Sequence, residues 1–369
     1  MKILVIMHAN NLLYGAGKSL VNWVTNTNIE IDILRPKAFP RSIKEEVIRQ
    51  GFGKNVKEIY SMWLPFSRCY SGRKHVSKLG FLYQKMNNIL WTMNRKKVKS
   101  LMKKYDRVYL NSLVLWPLIS PKGNYYIHIR EVFEGSNRLF KEVLKSLNDT
   151  KGVIYIDHAT YEAFKDYNLK NEIVLNNPFD MRNVEFIQKD KIKKNLGLKE
   201  NKKIYSVIGM IYEQKGVEFV IDGFIKANID AYLLIAGKIK GQYAQKCIKK
   251  AEKYNDIIFL GEIEDINKIY AISNAIIRGE KFFCVGRTIY EGLYSGNDVI
   301  IPGNEQDIER LPNIEQCKEN IYFYDPRNVE SFVEALKKVE KKKEGRRIYI
   351  SNVEEYTNKI LKFMELNNE

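Results

Sequence analysis

Ile276-Ile277-Arg278-Gly279-Glu280-Lys281-Phe282-Phe283-Cys284-Val285-Gly286-Arg287-Thr288-Ile289-Tyr290-Glu291-Gly292-Leu293-Tyr294-Ser295-Gly296 leaves an apolar strand, crosses a loop and enters a helical stretch. Gly296-Asn297-Asp298 then turns the chain into Val299-Ile300-Ile301, a second apolar strand. Strand, helix and strand joined by short turns are the unit from which wound parallel sheets are built. The same alternation continues in both directions. Downstream it predicts a strand at Asn320 to Phe323, and upstream strands at Lys203 to Ile208, Ala231 to Ala236, Ile257 to Leu260 and Ala275 to Ile277. Helices are expected near Val217 to Lys226, Gln242 to Tyr254, Ile266 to Ile272 and Arg287 to Ser295.

The first half repeats the plan, with strands expected at Lys2 to Met7, Ile29 to Leu34, Val56 to Tyr60, Arg107 to Leu110, Asn124 to Ile129, Gly152 to Ile156 and Glu172 to Leu175. Asn176-Asn177-Pro178-Phe179-Asp180 is a turn cluster, and Gln188 to Lys194 is a polar run with little to bury, so the domain junction is placed there. A chain of 369 residues with 45% hydrophobic residues suits two ordinary cores. The expected division is 1–182, 183–345 and a last helix in 346–369 that needs some other surface for Tyr356, Ile360, Leu361 and Phe363. Two wound sheets with loops at the carboxyl ends of their strands make a cleft between domains the expected ligand site.

No run reaches the eighteen or so apolar residues that span a bilayer, and Met1-Lys2-Ile3-Leu4-Val5-Ile6-Met7 reads as a first strand, not a signal peptide. Cys69, Cys247, Cys284 and Cys317 are widely spaced, with neither a CxxC pair nor a Cys/His cluster. Disulfides and structural zinc are not expected, and the compartment is read as reducing cytoplasm.

The formal net charge of +17 implies an anionic partner without naming it. Its distribution says more. From Ser61 to Tyr105 there are eleven basic residues and no acidic ones, interleaved with Trp63, Leu64, Phe66, Tyr70, Phe81, Leu82, Tyr83, Ile89, Leu90 and Trp91. Such a segment could place its rings among lipid headgroups and its cations on their phosphates, giving a peripheral contact with an anionic membrane. A solvated helix face with an apolar side in the core reads the same residues equally well.

Gly15-Ala16-Gly17-Lys18-Ser19 ends like a nucleotide-binding P-loop, but the required glycine five residues before Gly17 is Leu12, so an ATPase is rejected. What remains is a glycine-rich turn after the first strand, with Lys18 or Ser19 opening a helix beside a ligand, or a plain strand-to-helix turn. In Val207-Ile208-Gly209-Met210-Ile211-Tyr212-Glu213-Gln214-Lys215-Gly216, Gly209 would let backbone approach a ligand, and Lys215 would set an ammonium beside a leaving diphosphate. At Gly286 the free N–H groups of a helix end, with Arg287 and Thr288, suit an anion. Glu291, one turn on, suits ribose hydroxyls, though charged helix residues often simply face water.

From about Tyr205 to Gly303 these residues resemble the group 1 (family 4) retaining glycosyltransferases of the GT-B fold. Gly209 to Gly216 is similar to the family's donor loop, Leu234-Ile235-Ala236-Gly237 to its central strand, Ile258 to Ile263 to the strand before its base-binding turn, and Gly286 to Glu291 with Ser295-Gly296 to its donor helix. Gly15 to Ser19 and Asn177-Pro178 to Asp180 resemble, more weakly, its N-terminal glycine loop and interdomain turn. The resemblance implies an α/β chain of two Rossmann-like domains facing each other across a cleft, the first binding acceptor, the second a nucleotide sugar, with a C-terminal helix returning toward the first. It implies Gly15, Gly17, Gly209, Lys215, Ile263, Gly286, Arg287, Thr288 and Glu291 as donor-binding residues and His128, Lys215 and Glu280 as catalytic ones. Arg130 and Glu131, at the end of Tyr125-Tyr126-Ile127-His128-Ile129-Arg130-Glu131, would meet the acceptor.

Two positions depart from the family. Met210 stands where an arginine is usual, so Arg287 or Arg278 would supply a diphosphate contact. Phe283 stands eight residues before Glu291, where a glutamate usually meets the transferred sugar, and Glu280 is the nearest acid. The expected activity is metal-independent, retaining transfer of a sugar from a nucleotide diphosphate to a glycan or lipid-linked saccharide in cell-surface polysaccharide synthesis, at the cytoplasmic side of a membrane. A silent nucleotide-sugar-binding subunit and a nucleotide-sugar epimerase remain as alternatives. A nucleic-acid binder rests on net charge alone.

Overall fold

The computed structural model describes residues 2–9, 12, 15–37, 44–66, 78–133, 139–343 and 345–365, and for residues 78–81, 83 and 84 the backbone only. The chain divides into two compact units, the first formed by Met1–Pro178 with Asn352–Glu369 and the second by Phe179–Ser351.

In the first unit, β1 (Ile3–Ile6), α1 (Gly15–Thr25), β2 (Ile31–Pro36), α2 (Glu45–Phe52), β3 (Val56–Met62), α3 (Lys78–Met102), β4 (Arg107–Leu110), β5 (Tyr125–Ile129), α4 (Phe140–Asn148), β6 (Gly152–Tyr155), α5 (His158–Tyr161) and β7 (Glu172–Val174) alternate along the chain. The strands form one parallel sheet in the order β3-β2-β1-β4-β5-β6-β7. Because helices cover both faces, the central strands read as unbroken apolar runs: Ile3, Leu4, Val5 and Ile6 are all buried. Leu4 and Ile6 enter the cluster with Trp91 and Val98 of α3, while Ile3 and Val5 enter the opposite cluster with Trp23 of α1.

The second unit runs through α6 (Lys189–Asn195), β8 (Lys203–Ile208), α7 (Val217–Ala227), β9 (Ala231–Ala236), α8 (Gly241–Ala251), β10 (Ile257–Gly261), α9 (Asn267–Ile272), β11 (Ala275–Ile277), α10 (Arg287–Tyr294), β12 (Asp298–Pro302), β13 (Ile321–Tyr324) and α11 (Val329–Lys341). Its parallel sheet has the order β10-β9-β8-β11-β12-β13. The last helix, α12 (Val353–Phe363), belongs to the first unit. Tyr356, Ile360, Leu361 and Met364 bury there against Ile3, Val5 and Tyr126, and the Phe363 ring meets Tyr126 edge-on at 6.0 Å. That covers the apolar face which the sequence left without a partner.

In each sheet the crossovers reverse direction once, between β1 and β4 in the first and between β8 and β11 in the second. At such a switch point adjacent loops diverge and leave a crevice at the carboxyl ends of the strands, which is where wound sheets hold ligands. The chain after β1 leads into Gly15 to Ser19 at the start of α1, and the loops after β8 and β11 carry Gly209 to Gly216 and Arg278 to Gly286. The glycine-bearing segments therefore lie at the two switch points.

Candidate donor site at the second switch point

β8 ends at Ile208, and Gly209 follows with a φ of +131°, outside the range open to most side chains. Met210 is exposed, and a single 3-10 turn at Glu213–Lys215 delivers the chain to Gly216 and α7. Gly216 has a φ of +61°, and a Cβ there would stand 1.6 Å from the carbonyl oxygen of Gly279. The loops after β8 and β11 thus touch backbone to backbone. This contact sets Lys215 beside Glu280, Nζ to Oε1, at 2.9 Å.

Arg278, which directly follows β11, is buried, as is Glu280. The guanidinium donates to the carboxylate through Nε at 3.0 Å and Nη2 at 2.5 Å, and Nη2 also donates to Cys284 Sγ at 3.0 Å. Burial alone would raise the carboxyl pKa of Glu280, but Arg278 and Lys215 outweigh it and hold it below the ordinary glutamate value. Glu280 is therefore an anion at neutral pH. The remaining guanidinium nitrogen, Arg278 Nη1, is buried without a hydrogen-bond partner. It faces Gly286, where a Cβ would lie 2.3 Å from it, at the residue that caps the N-terminus of α10. Gly286 has no side chain with which to cap that helix end, and the first N–H groups of α10 and Nη1 lie in one neighbourhood.

In α10, Glu291 is buried, with Oε2 accepting from Tyr270 at 2.8 Å and Oε1 from Arg287 at 3.1 Å. A carboxylate has about four lone-pair positions and can accept from several donors at once. The guanidinium of Arg287 also lies over the Phe179 ring, 4.5 Å from its centroid, and Phe179 stacks on Tyr290 at 5.1 Å. Thr288 is half-buried in the first turn, and Ile263, beyond β10, packs half-buried with Ile208, Leu260 and Ile266. At Phe283 the ring packs with Phe323, and Arg310 lies over it at 4.6 Å.

The structure thus brings Gly209, Lys215, Glu280 and Gly286 to one end of the second sheet and ties Arg287 to Glu291. Tyr270 and Phe179, which hold Glu291 and Arg287, were not picked out from the sequence. Tyr270 sits in an apolar helical run with no signal of its own, whereas Phe179 lay in a turn cluster already noted.

At the first switch point, α1 begins at Gly15, ahead of the expected opening at Lys18 or Ser19, so Gly15 and buried Gly17 form its first turn. Ser19 Oγ donates to Asn177 Oδ1 at 2.7 Å, and Arg130 donates to the same oxygen at 2.8 Å and to Asn111 Oδ1 at 2.9 Å. Glu131 accepts from Ser112 Oγ and from the Leu113 N–H at 3.0 Å, which caps a 3-10 helix at Leu113–Leu118. His128 is fully buried inside β5, its Nδ1 2.7 Å from Tyr109 Oη and 3.2 Å from Arg130. Burial first, then Arg130, pushes its pKa well below 6.5, so the ring is neutral. His8, after β1, is pushed down by burial and by Arg130, against the pull of Glu131. The side chains expected to face acceptor make these contacts at the strand ends, while His128 Nε2 and His8 Nδ1 are buried without a hydrogen-bond partner.

Among the described residues, no three His, Cys, Asp or Glu side chains gather as a metal site, and no helix is long and apolar enough to cross a membrane. Cys247, Cys284 and Cys317 are free thiols, while Cys69 lies outside the described residues.

Residues 188–356 match the family model described as glycosyl transferases group 1, a little under half of the chain. No curated protein matches. Among solved structures, the chain is similar to Anabaena HepE in complex with UDP and glucose, at 16% identity and a TM-score of 0.69, over 99% of each chain. It is similar to the sucrose-phosphate synthase of Thermosynechococcus elongatus at 12% identity and 0.63, over 99% of this chain and 96% of the other. WaaG, a glycosyltransferase involved in lipopolysaccharide biosynthesis, gives 12% identity and 0.61 with the same coverage. These likenesses, with the two parallel sheets, show the α/β fold of two Rossmann-like domains that defines the GT-B class.

Proposed function

We propose that the chain is a retaining glycosyltransferase that takes a sugar from a nucleotide-diphosphate donor bound at the second switch point. The observation that carries this reading is the cluster of Lys215, Glu280 and Arg278 beside the open N-terminus of α10, within the segment that matches group 1 glycosyl transferases. A departing nucleoside diphosphate gathers negative charge, and cations with oriented N–H groups in a partly buried site stabilise it as the glycosidic bond breaks. Lys215 Nζ and the α10 N–H groups would meet the diphosphate, and the Glu291 carboxylate would take the ribose hydroxyls.

Arg278 answers the absence of an arginine at position 210. Its unpaired Nη1 lies against Gly286, whereas Arg287 is already held by Glu291 and Phe179. Glu280 acts as a positioning residue: its carboxylate holds both cations and is not free to hold the sugar. With the diphosphate neutralised in this way the reaction needs no metal. The acceptor hydroxyl attacks from the leaving-group side, and a diphosphate oxygen assists its deprotonation. HepE binding UDP and glucose, and WaaG working in lipopolysaccharide synthesis, favour a nucleotide sugar as donor and a glycan or lipid-linked saccharide of the cell surface as acceptor.

The test is calorimetric titration with a panel of nucleoside diphosphates and their sugars, followed by product analysis with saccharide acceptors. Binding and transfer that both collapse in Lys215→Ala and Glu291→Ala are expected. Binding without any transfer or donor hydrolysis would make the chain a silent subunit. An altered sugar still attached to nucleotide would make it an epimerase.

A further inference from the structure

Helix α3 carries two unlike faces. Asn87, Trp91, Val98, Leu101 and Met102 recur at helical spacing and are buried, Trp91 and Val98 within the core of the first unit. On the other side Leu82, Ile89 and Met93 stand 64, 63 and 74% exposed. At 3.6 residues per turn, Ile89 and Met93 point within about 20° of the direction of Leu82, so the three form one outward apolar stripe. Exposed Lys85 and Lys96 lie along one side of it and Lys97 along the other, with exposed Lys103 and Lys104 just past the helix end. The chain from Ser61 to Tyr105 contains no acidic residue of its own.

We propose that α3 docks lengthwise on an anionic lipid bilayer, with Leu82, Ile89 and Met93 at the acyl boundary and the flanking lysines on lipid phosphates. The chemistry selects this occupant. A duplex or single strand of nucleic acid would satisfy the lysines but leave an apolar stripe of large side chains facing phosphate and sugar. A second copy of the chain would bury the stripe but set lysine against lysine without a counter-charge. An anionic bilayer offers a fluid apolar phase and negative headgroups at the spacing of a helix lying in the interface. Of the aromatic residues expected to enter the headgroups, Trp91 is in the core and Phe66 packs against it, while Tyr70 and the side chains of Phe81 and Tyr83 lie outside the described residues. The inference is independent of the donor-site reading.

The test is co-sedimentation of the full chain with vesicles of phosphatidylcholine alone and of phosphatidylcholine with 30% phosphatidylglycerol, a composition of about one anionic lipid in three. Expected are salt-sensitive binding to the anionic vesicles and a loss of about tenfold or more in Leu82→Ser/Ile89→Ser/Met93→Ser, which removes exposed apolar area without touching the core. Lys85→Gln/Lys96→Gln/Lys97→Gln should erase the preference for anionic over neutral vesicles. Wild-type-like binding by the serine variant, or no binding by the wild type, would overturn the proposal. So would a concentration-dependent dimer that the serine variant abolishes, or nucleic-acid binding that the serine variant retains.

Discussion

The two switch points share a topology and differ in chemistry. At the first, Arg130 is met by the amides of Asn111 and Asn177 and by a neutral histidine, while Glu131 is committed to capping. At the second, two cations share one buried carboxylate, and one guanidinium nitrogen is left over at an uncapped helix end. Buried nitrogens without a hydrogen-bond partner stand at both, His8 Nδ1 and His128 Nε2 on rings with depressed pKa at the first and Arg278 Nη1 on a cation at the second, so the second is the one that suits an anion. A shared fold positions both crevices, and the residues at the strand ends decide which charge each of them suits.

The strongest way to break this comparison is to remove one guanidinium from each crevice. Arg278→Met leaves the buried carboxylate of Glu280 with Lys215 as its one remaining cation and should lower the stability of the second unit by about 3 kcal/mol in a calorimetric unfolding scan. Arg130→Met leaves neutral amides behind and should cost about 1–2 kcal/mol. Equal costs would mean that the two crevices are alike. Next in size, Gly216→Ala drives a Cβ into the carbonyl of Gly279 in a left-handed backbone conformation. A loss of about 2–3 kcal/mol is expected, read as a fall in melting temperature, with the Lys215–Glu280 pairing disturbed as well. Glu291→Ala should cost about 2 kcal/mol of nucleoside-diphosphate affinity, roughly thirtyfold by titration calorimetry, with little change in the first unit.

The smallest effect belongs to the histidines. His128 and His8 have depressed folded-state pKa values, so below about pH 6.5 the unfolded chain takes up protons that the folded chain refuses. Stability should fall with pH through that window, by at most about 1.4 kcal/mol per unit for each ring, and His128→Gln should flatten the slope. A slope unchanged in that variant would mean that burial does not depress the His128 pKa in the folded protein.

The strand plan was legible because parallel strands buried on both faces must be apolar throughout, so runs such as Ala231 to Ala236 announce themselves. The glycine-bearing loops were legible for a related reason: Gly216 and Gly279 stand where two backbones touch. The aim of side chains was not. His128 looked like a cleft residue because polar groups are uncommon in strands, yet a strand covered on both faces can bury a histidine if a tyrosine meets it. Arg278 closes the run Ile276-Ile277-Arg278, and nothing in its spacing foretells that Glu280, two residues on, turns back to grip it. In the basic segment composition gave the charge, but only the helical phase of α3 separates Trp91 from Met93, one inside and one outside.

The return of α12 to the first unit has a consequence for the order in which the protein takes shape. Met1–Pro178 emerges first from the ribosome, but the surface around Ile3, Val5 and Tyr126 stays uncovered until Tyr356, Ile360 and Leu361 have been made. The second unit is complete in sequence by then and can close its core without waiting. The first unit is therefore closed after the second, and a chain that ended near residue 350 would hold a closed second unit tethered to a first unit with an open apolar face.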